Sequence, residues 1–260
     1  MTDSTIPLRQ LGATGISVSA LALGSVALGR HTGLKYAAAP TIPDDAAALK
    51  LLTSAADAGI NLVDTAPAYG DAEARLGHLL QQLDPAGAHW RICTKVGEHF
   101  DGEHSHFDFS PAATRRSVER SLKHLKRAQL DVVLIHSNGQ DEQILKQHGT
   151  LATLAELKRE GKIQAVGISH KTVAGAQAAM DAGADVLMAT LNPDHLQERE
   201  VIAAAGQAGV GVLIKKPLRS GYGQAADLAF AASHAGVSSV VVGTTQLAHL
   251  RANIQAVADA

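Results

Sequence analysis

Three apolar runs each end in a residue able to hold or move a proton: NLVD at Asp64, RICTK at Lys95 and DVVLIH at His136. A charged group closing such a run is costly to bury unless it is paired or does chemistry. Alternation along a strand puts Leu62, Cys93 and Leu134 on the same face as these polar ends, with Val63, Thr94 and Ile135 on the opposite face. Tyr69 stands just beyond Asp64, in DTAPAYGDAE, where Pro67 and Gly70 mark a turn. A tyrosine's ordinary pKa is about 10. To protonate a carbonyl oxygen near neutral pH it needs a neighbouring positive charge that favours the phenolate. Lys95 can supply that charge, Asp64 can orient the ammonium, and His136 as a neutral donor can position the carbonyl. A hydride must come from a cofactor, because no side chain carries one. Taken singly, Asp64 reads as a loop cap, Lys95 as its ion-pair partner and His136 as a satisfied rim histidine. Their recurrence on consecutive strand ends outweighs those readings.

The elements that would position these residues repeat along the chain. ADAGI (56–60), MDAGA (180–184), AGQAGV (205–210) and SHAGV (233–237) each close an Ala-rich stretch and precede an apolar run. The pattern predicts a helix stopped by glycine in the left-handed conformation, followed by a buried strand. Gly161, in KREGKIQAVGIS, is expected to act the same way. Glycines 161, 183, 209 and 236 lie 22, 26 and 27 residues apart, about one strand-helix unit each. Strands are expected at 18–23, 61–64, 91–95, 130–136, 164–168, 186–190, 210–215 and 239–243. Helices are expected at 44–58, 72–82, 111–126, 141–160, 172–182, 197–208, 225–235 and 247–259. Eight alternating units of continuous apolar strands predict an α/β fold, a (β/α)8 TIM barrel, as a single domain over residues 1–260. A doubly wound open sheet is the alternative, weakened because no GxGxxG follows the first strand. The first dozen residues, with Gly12 and Gly15, suggest a short hairpin outside the barrel. The stretch 97–111 lacks periodicity and reads as a substrate-side loop.

Composition narrows the function. Of 260 residues 46% are hydrophobic, enough for a large core, and 23 basic against 25 acidic side chains leave a net charge of only −2. That balance gives no footprint for nucleic acid or another polyanion. Cys93 is the only cysteine, which excludes an intrachain disulfide and a thiolate metal cluster. No membrane-length apolar run and no signal-peptide pattern occur, so a cytoplasmic protein acting on a small molecule is expected. Oligomeric state is left open.

The Asp64, Tyr69, Lys95 and His136 set on such a barrel resembles the catalytic tetrad of the aldo-keto reductase family. The strings NLVDTAPAYG, ICTKVG and LIHSNG carry the likeness, and LRQLGATGISVSALALGSVALG, REGKIQAVGIS and VGTTQLAHLRANI extend it over most of the chain. It looks like a short-loop, bacterial-type member. The resemblance implies that Tyr69 is the general acid, Lys95 and Asp64 its tuning pair, and His136 the carbonyl-orienting group. It further implies an NADP cofactor, with NAD possible, held by Gly24, Ser25 and Val26 beside the nicotinamide ribose, with Asp64. Ser169 and His170 would meet the carboxamide, Pro217, Leu218 and Gly221 the pyrophosphate. Gly243, Thr244, Thr245, His249 and Asn253 would hold the adenosine end, near a helix N-terminus suited to phosphate.

The chain departs from the family pattern at His170, where asparagine is usual, at Met188, where glutamine is usual, and at Lys215, where a tyrosine usually stacks on the nicotinamide. Gly243 and His249 replace the usual basic grips on a 2′-phosphate, although Arg251 is close by in sequence. His99, Glu103, His104 and His106 form no convincing metal pattern. Lys215 and Lys216 are expected to meet cofactor phosphate or substrate, Cys93 to be a buried, unreactive barrel residue, and Arg30, His31 and Lys35 to lie in a solvated loop. The leading expectation is an NAD(P)-dependent oxidoreductase acting on aldehydes, ketones or sugars. Two others compete: a cofactor-binding accessory subunit, resembling the β-subunits of potassium channels, and an aldolase-like barrel with Lys95 as Schiff base.

Overall fold

The computed structural model describes residues 5–34, 41–84 and 88–260, so Lys35 lies outside the described residues. A hairpin of β1 (Leu8–Gln10) and β2 (Ser17–Ser19) opens the chain, as its paired glycines predict. β3 (Leu21–Gly24), β4 (Leu62–Asp64) and β5 (Arg91–Val96) follow, then a second small hairpin of β6 (Glu98–Phe100) and β7 (Ser105–Phe107). The chain continues through β8 (Leu130–His136), β9 (Ile163–Ser169), β10 (Val186–Thr190), β11 (Gly211–Lys215) and β12 (Ser239–Gly243). The eight strands outside the two hairpins are parallel and close into a barrel, β12 pairing back onto β3 with Gly243 opposite Gly24. This closure rules out the open sheet.

Around the barrel pack α1 (Asp45–Asp57), α2 (Ala72–Leu83), α3 (Pro111–Leu125), α4 (Asp141–Gln147), α5 (Thr150–Arg159), α6 (Val173–Asp181), α7 (Arg199–Gln207), α8 (Ala225–Ala232) and α9 (Leu247–Ala258). Their starts follow the sequence: Asp44 caps α1 by accepting from the Ala47 N–H at 2.8 Å, and Ser110 caps α3 ahead of Pro111. Their ends follow the repeated glycine, which takes a positive φ at positions 59, 161, 183, 209 and 236. Gly236 shows why no other residue serves there: its φ is 89°, and a Cβ would fall 2.5 Å from the Ile202 carbonyl oxygen.

Two layers of core confirm the predicted alternation. Leu62, Cys93, Leu134, Met188, Leu213 and Val241 form the barrel interior, joined from below by Leu11, Ile16 and Val18 of the first hairpin. Val63 and Ile135 belong instead to the shell between strands and helices, with Leu51, Leu79 and Leu154. Thr94 also faces outward, donating to Glu73 Oε1 on α2 at 2.6 Å. Cys93 is fully buried, its thiol pKa pushed up by burial and by Asp64. No helix among the described residues is long and apolar enough to cross a membrane.

Three expectations are corrected. The strand expected over 18–23 is divided at Ala20 between β2 of the hairpin and β3 of the barrel. The helix expected over 141–160 is two, α4 and α5, broken where Gly149 adopts a φ of 71°. Thr150 starts the new helix and ties it down by donating to the Phe109 carbonyl at 2.5 Å. The stretch 97–111 is not a plain loop, because β6 and β7 pair within it. Its strands are too short and polar for alternation to show. Asp101 makes their turn instead, accepting from the N–H groups of Glu103 and His104.

Candidate active site

The C-terminal ends of the barrel strands put the polar residues on one rim. Lys95 is 1% exposed, and its ammonium donates to Asp64 Oδ1 at 2.7 Å, Asp64 Oδ2 at 2.8 Å and the Thr65 carbonyl at 2.8 Å. All three of its protons are thereby committed. Burial alone would lower the Lys95 pKa, but Asp64, with Tyr69 and Cys93, outweighs it and raises the pKa above the ordinary value. Tyr69 ends a short 3-10 turn, Pro67–Tyr69, that hangs over β4. The Lys95 nitrogen lies 4.9 Å from the Tyr69 ring centre. The Tyr69 and His136 rings meet edge to face, 6.3 Å apart and at 88°.

Behind His136 stands a residue the sequence reading missed. Glu98, the first residue of β6, sets Oε2 2.8 Å from His136 Nδ1. Burial pushes the Glu98 carboxyl up, yet His136, Ser105 and Arg30 together hold it down to about 2. His136 is itself lowered from its ordinary value, by burial first and by the charges of Lys95 and Lys215, although Glu98 pulls the other way. The available sequence signal was an acid just past the lysine-bearing strand, after Gly97, in the segment expected to face substrate.

A cavity of about 330 Å³ unites these groups, within the size range of small-molecule sites. Asp64, Tyr69, Lys95 and His136 line it together with Gly24, Val26, Ser169, Met188, Lys215 and Gly243. A groove of about 350 Å³ adjoins it, sharing Val26, Lys216, Ser220, Val241 and Gly243, and runs past Pro217, Leu218 and Gly221 to Thr244, Thr245 and His249. Ser25 lies just beneath, its N–H bonded to the Asp64 carbonyl and its buried hydroxyl without a hydrogen-bond partner. His170 is fully buried with neither ring nitrogen hydrogen-bonded, Nδ1 being 3.5 Å from Glu198 Oε2. Burial and Lys215 draw its pKa down to about 4. Asn253 is buried on α9 and does not line the groove, so that expected contact is not brought to it.

Lys215 lines the cavity and not the groove, donating to Ser169 Oγ at 3.0 Å and to the His170 carbonyl oxygen. Lys216 lines both cavity and groove. Arg30 is not in a solvated loop: it is 9% exposed, donates to the carbonyls of Thr32, Gly33 and Ala68, and sits 3.6 Å over the Phe100 ring. Its work is to tie the loop after β3 to β6. His31 remains exposed. His106 is exposed and meets Asp101 at 2.6 Å.

The residues fit a nicotinamide dinucleotide. Gly24 and Gly243 leave a floor without side chains between β3 and β12, and α9 begins at the groove with no side-chain cap on its first turn. The orphaned Ser25 hydroxyl lies behind the cavity next to Gly24, and the orphaned His170 ring belongs to an adjoining hollow that shares His136, Ser169, Lys215, Lys216 and Ser220 with the cavity.

Known proteins bear out the class that this barrel and rim define. The model of the Aldo/keto reductase family matches residues 20–227, and the chain belongs to that family. The match ends ahead of Gly243–His249, so that end of the groove stands on the geometry alone. The family's chemistry is NAD(P)-dependent carbonyl oxidoreduction. A crystal structure of a candidate aldo-keto reductase from Pseudomonas aeruginosa superposes with a TM-score of 0.88 at 45% identity, covering 97% of this chain and 94% of that one. The L-galactose dehydrogenase of Arabidopsis thaliana is 36% identical over 168 residues, 63% of this chain and 48% of its own length. The NADH-specific methylglyoxal reductase of Escherichia coli is 27% identical over 227 residues, 81% of this chain and 67% of its own. The chain thus spans about half the length of the first of these relatives and two thirds of the second.

Proposed function

We propose that this chain interconverts an aldehyde, ketone or sugar carbonyl with its alcohol, using NADPH or NADH, with Tyr69 as general acid and base. The observation that carries the reading is the buried Lys95 ammonium, clamped by Asp64 and set 4.9 Å from the Tyr69 ring on the wall of a ligand-sized cavity. A nicotinamide bound there supplies or receives the hydride. Tyr69 gives its phenolic proton to the nascent alkoxide, and the ammonium stabilises the phenolate left behind. Asp64 fixes that ammonium and contributes no proton of its own. With its Nδ1 facing Glu98, His136 presents Nε2 to the chamber. Burial favours the neutral ring, and with its proton on Nδ1 toward Glu98 the free Nε2 accepts from a substrate hydroxyl, in place of the neutral donor to a carbonyl expected from the sequence. Only the protonated ring, at lower pH, donates to a carbonyl oxygen.

Ser25, Ser169 and His170 are the polar groups suited to the nicotinamide and its ribose. Pro217, Leu218, Gly221 and the first turn of α9 suit the pyrophosphate and adenosine. Gly243 and His249 supply no fixed charge for a 2′-phosphate, which favours tolerance of both cofactors. The relatives named for L-galactose and methylglyoxal oxidoreduction support sugars and small oxo-aldehydes as the first substrates to try. An accessory role without turnover is less well supported, because the whole proton-transfer set lines one cavity. A Schiff base on Lys95 is unsupported, since a clamped ammonium with a raised pKa is a poor nucleophile.

The test is a thermal-shift titration with NADPH and NADH, then a carbonyl and sugar panel followed at the nicotinamide absorbance. Cofactor-dependent stabilisation and turnover are expected. Stabilisation with no turnover across the panel would favour the accessory role, and no stabilisation by either nucleotide would remove the proposal.

A further inference from the structure

Two lysines line the chamber in opposite electrostatic settings. Lys95 spends its charge on Asp64. Lys215 donates to the Ser169 hydroxyl and the His170 carbonyl, both of them neutral acceptors. The acid and ammonium groups on the chamber wall are Asp64 against Lys95, Lys215 and Lys216. Asp64 and Lys95 answer each other, whereas among the described residues no carboxylate forms an ion pair with Lys215, on which Glu198 and Asp141 act only from further off. Lys215 and the Ser169 it holds both line the chamber, so a nicotinamide ring bound there, as proposed above, lies within the field of that ammonium. That ring is cationic when oxidised and neutral when reduced.

We infer that Lys215 makes the chamber discriminate between the redox states of a nicotinamide dinucleotide, holding the reduced form more tightly than the oxidised one. The inference rests on the nicotinamide occupying this chamber, as proposed above. It is a Coulombic effect on the ring alone, so it acts alike on the NADP and NAD pairs. The binding ratio needs only a tenfold difference, about 1.4 kcal/mol, to set which form occupies the free enzyme when both are present.

The charged and titratable groups around Lys215 come from each neighbouring element. They are Lys216 on its own strand end, Ser169-linked His170 and Lys171 after β9, Asp141 at the start of α4, Glu198 ahead of α7, and His136 on β8. Burial foremost, then Lys216 and Lys171 against Glu198 and Asp141, draws the Lys215 pKa down to about 7. The ammonium therefore loses its proton as pH rises past neutrality, and the discrimination fades with it. Near neutral pH the oxidised ring should expel that proton as it binds, and the reduced ring should not.

Isothermal titration of the wild type, Lys215→Met and Lys215→Arg with NADPH, NADP+, NADH and NAD+ tests this at about pH 6.5 and about pH 9. In the wild type the reduced form should bind at least tenfold tighter at the lower pH, with the ratio shrinking at the higher. Lys215→Met should bring the ratio near unity at both, and Lys215→Arg should keep it high at both. Titration near pH 7 in buffers of different ionisation enthalpy should report proton release with NADP+ and little with NADPH. A wild-type ratio within twofold, or a ratio unchanged in Lys215→Met, overturns the inference and leaves the proposed function standing. Failure of all four nucleotides to bind overturns both.

Discussion

Replacing Lys95 by methionine separates chemistry from scaffolding. The substitution keeps an unbranched apolar stem, one atom shorter, and removes three hydrogen bonds and one charge. Asp64, 4% exposed, is left as an unpaired buried carboxylate. Breaking a buried pair by removing one partner typically costs about 3–5 kcal/mol. In a chain of this size that corresponds to a fall in Tm of roughly 10 °C. The catalytic term comes from the 4.9 Å between the ammonium and the Tyr69 ring centre. At an effective dielectric of about 20, unit charges about 5 Å apart attract by roughly 3 kcal/mol, or about two pKa units. The tyrosine limb of the pH–rate profile should therefore move up by one to two units, and kcat should fall about 10²–10⁴-fold. Melting temperature and pH–rate profile must be measured on the same variant. If Lys95 is only scaffold, stability falls while kcat and its pH dependence stay as they were. That outcome would refute the proton-transfer assignment.

Tyr69→Phe should remove most of kcat, by a factor of about 10²–10⁴, with cofactor affinity nearly unchanged because the phenol meets only the reacting oxygen; near-wild-type turnover of a true substrate would sink the role. Glu98→Gln removes the charge that raises the His136 pKa, so the histidine limb of the pH–rate profile should move to lower pH. Removing the carboxylate that stands 2.8 Å from Nδ1 should also lower kcat/KM; an unmoved limb would show Glu98 to be idle. NADPH and NADH should give kcat/KM values within about a hundredfold of each other, and a preference above a thousandfold would point to a phosphate grip elsewhere, Arg251 first. His170 has a folded pKa of about 4 against an ordinary value near 6.5, so it stabilises the fold above pH 6.5 and loses that contribution as pH falls toward 4. The difference is worth up to roughly 3 kcal/mol, and His170→Asn should show a smaller fall in Tm between pH 7 and 4.5 than the wild type. An equal fall in both proteins would place the acid sensitivity elsewhere.

The barrel was legible because each unit carries its own punctuation. An alanine-rich helix, a glycine at φ near 80° and a continuous apolar strand recur often enough to fix both count and order. The alternation NLVD, RICTK and DVVLIH even set which residues face inward, since Val63 and Ile135 do pack outside while Leu62 and Leu134 pack within. What escaped was short or non-local. β6 and β7 are three residues each, too brief for a period-two pattern, and their turn is made by one aspartate. The break at Gly149 lies inside a run of good helix formers, and only the backbone conformation reveals it. Arg30 looked like a solvated loop cation because its partners, three carbonyls and the Phe100 ring, are assembled by the loops' return and not by sequence spacing. Glu98 behind His136 is of the same kind, a contact made when the hairpin folds back over the rim.

Lys95 and Lys215 show how one chamber can hold the same side chain to opposite ends. Both are buried, and burial alone lowers a lysine's pKa. Asp64 more than reverses that effect at Lys95, so its charge is permanent and available to a phenolate at any working pH. Hydroxyl and carbonyl partners leave the effect in force at Lys215, so its charge is conditional and answers to whatever enters the chamber. Exchanging the two settings should exchange the behaviours. In Asp64→Asn the Lys95 pKa should fall, because burial is then opposed by a dipole in place of a charge. Part of the positive field on Tyr69 should vanish near neutral pH, although the lysine itself remains. The pH–rate profile of Asp64→Asn should therefore acquire a new limb on the alkaline side, below the tyrosine limb, where Lys95 loses its proton. A profile without that limb, in a folded variant, would mean that neighbours other than Asp64 suffice to keep Lys95 charged.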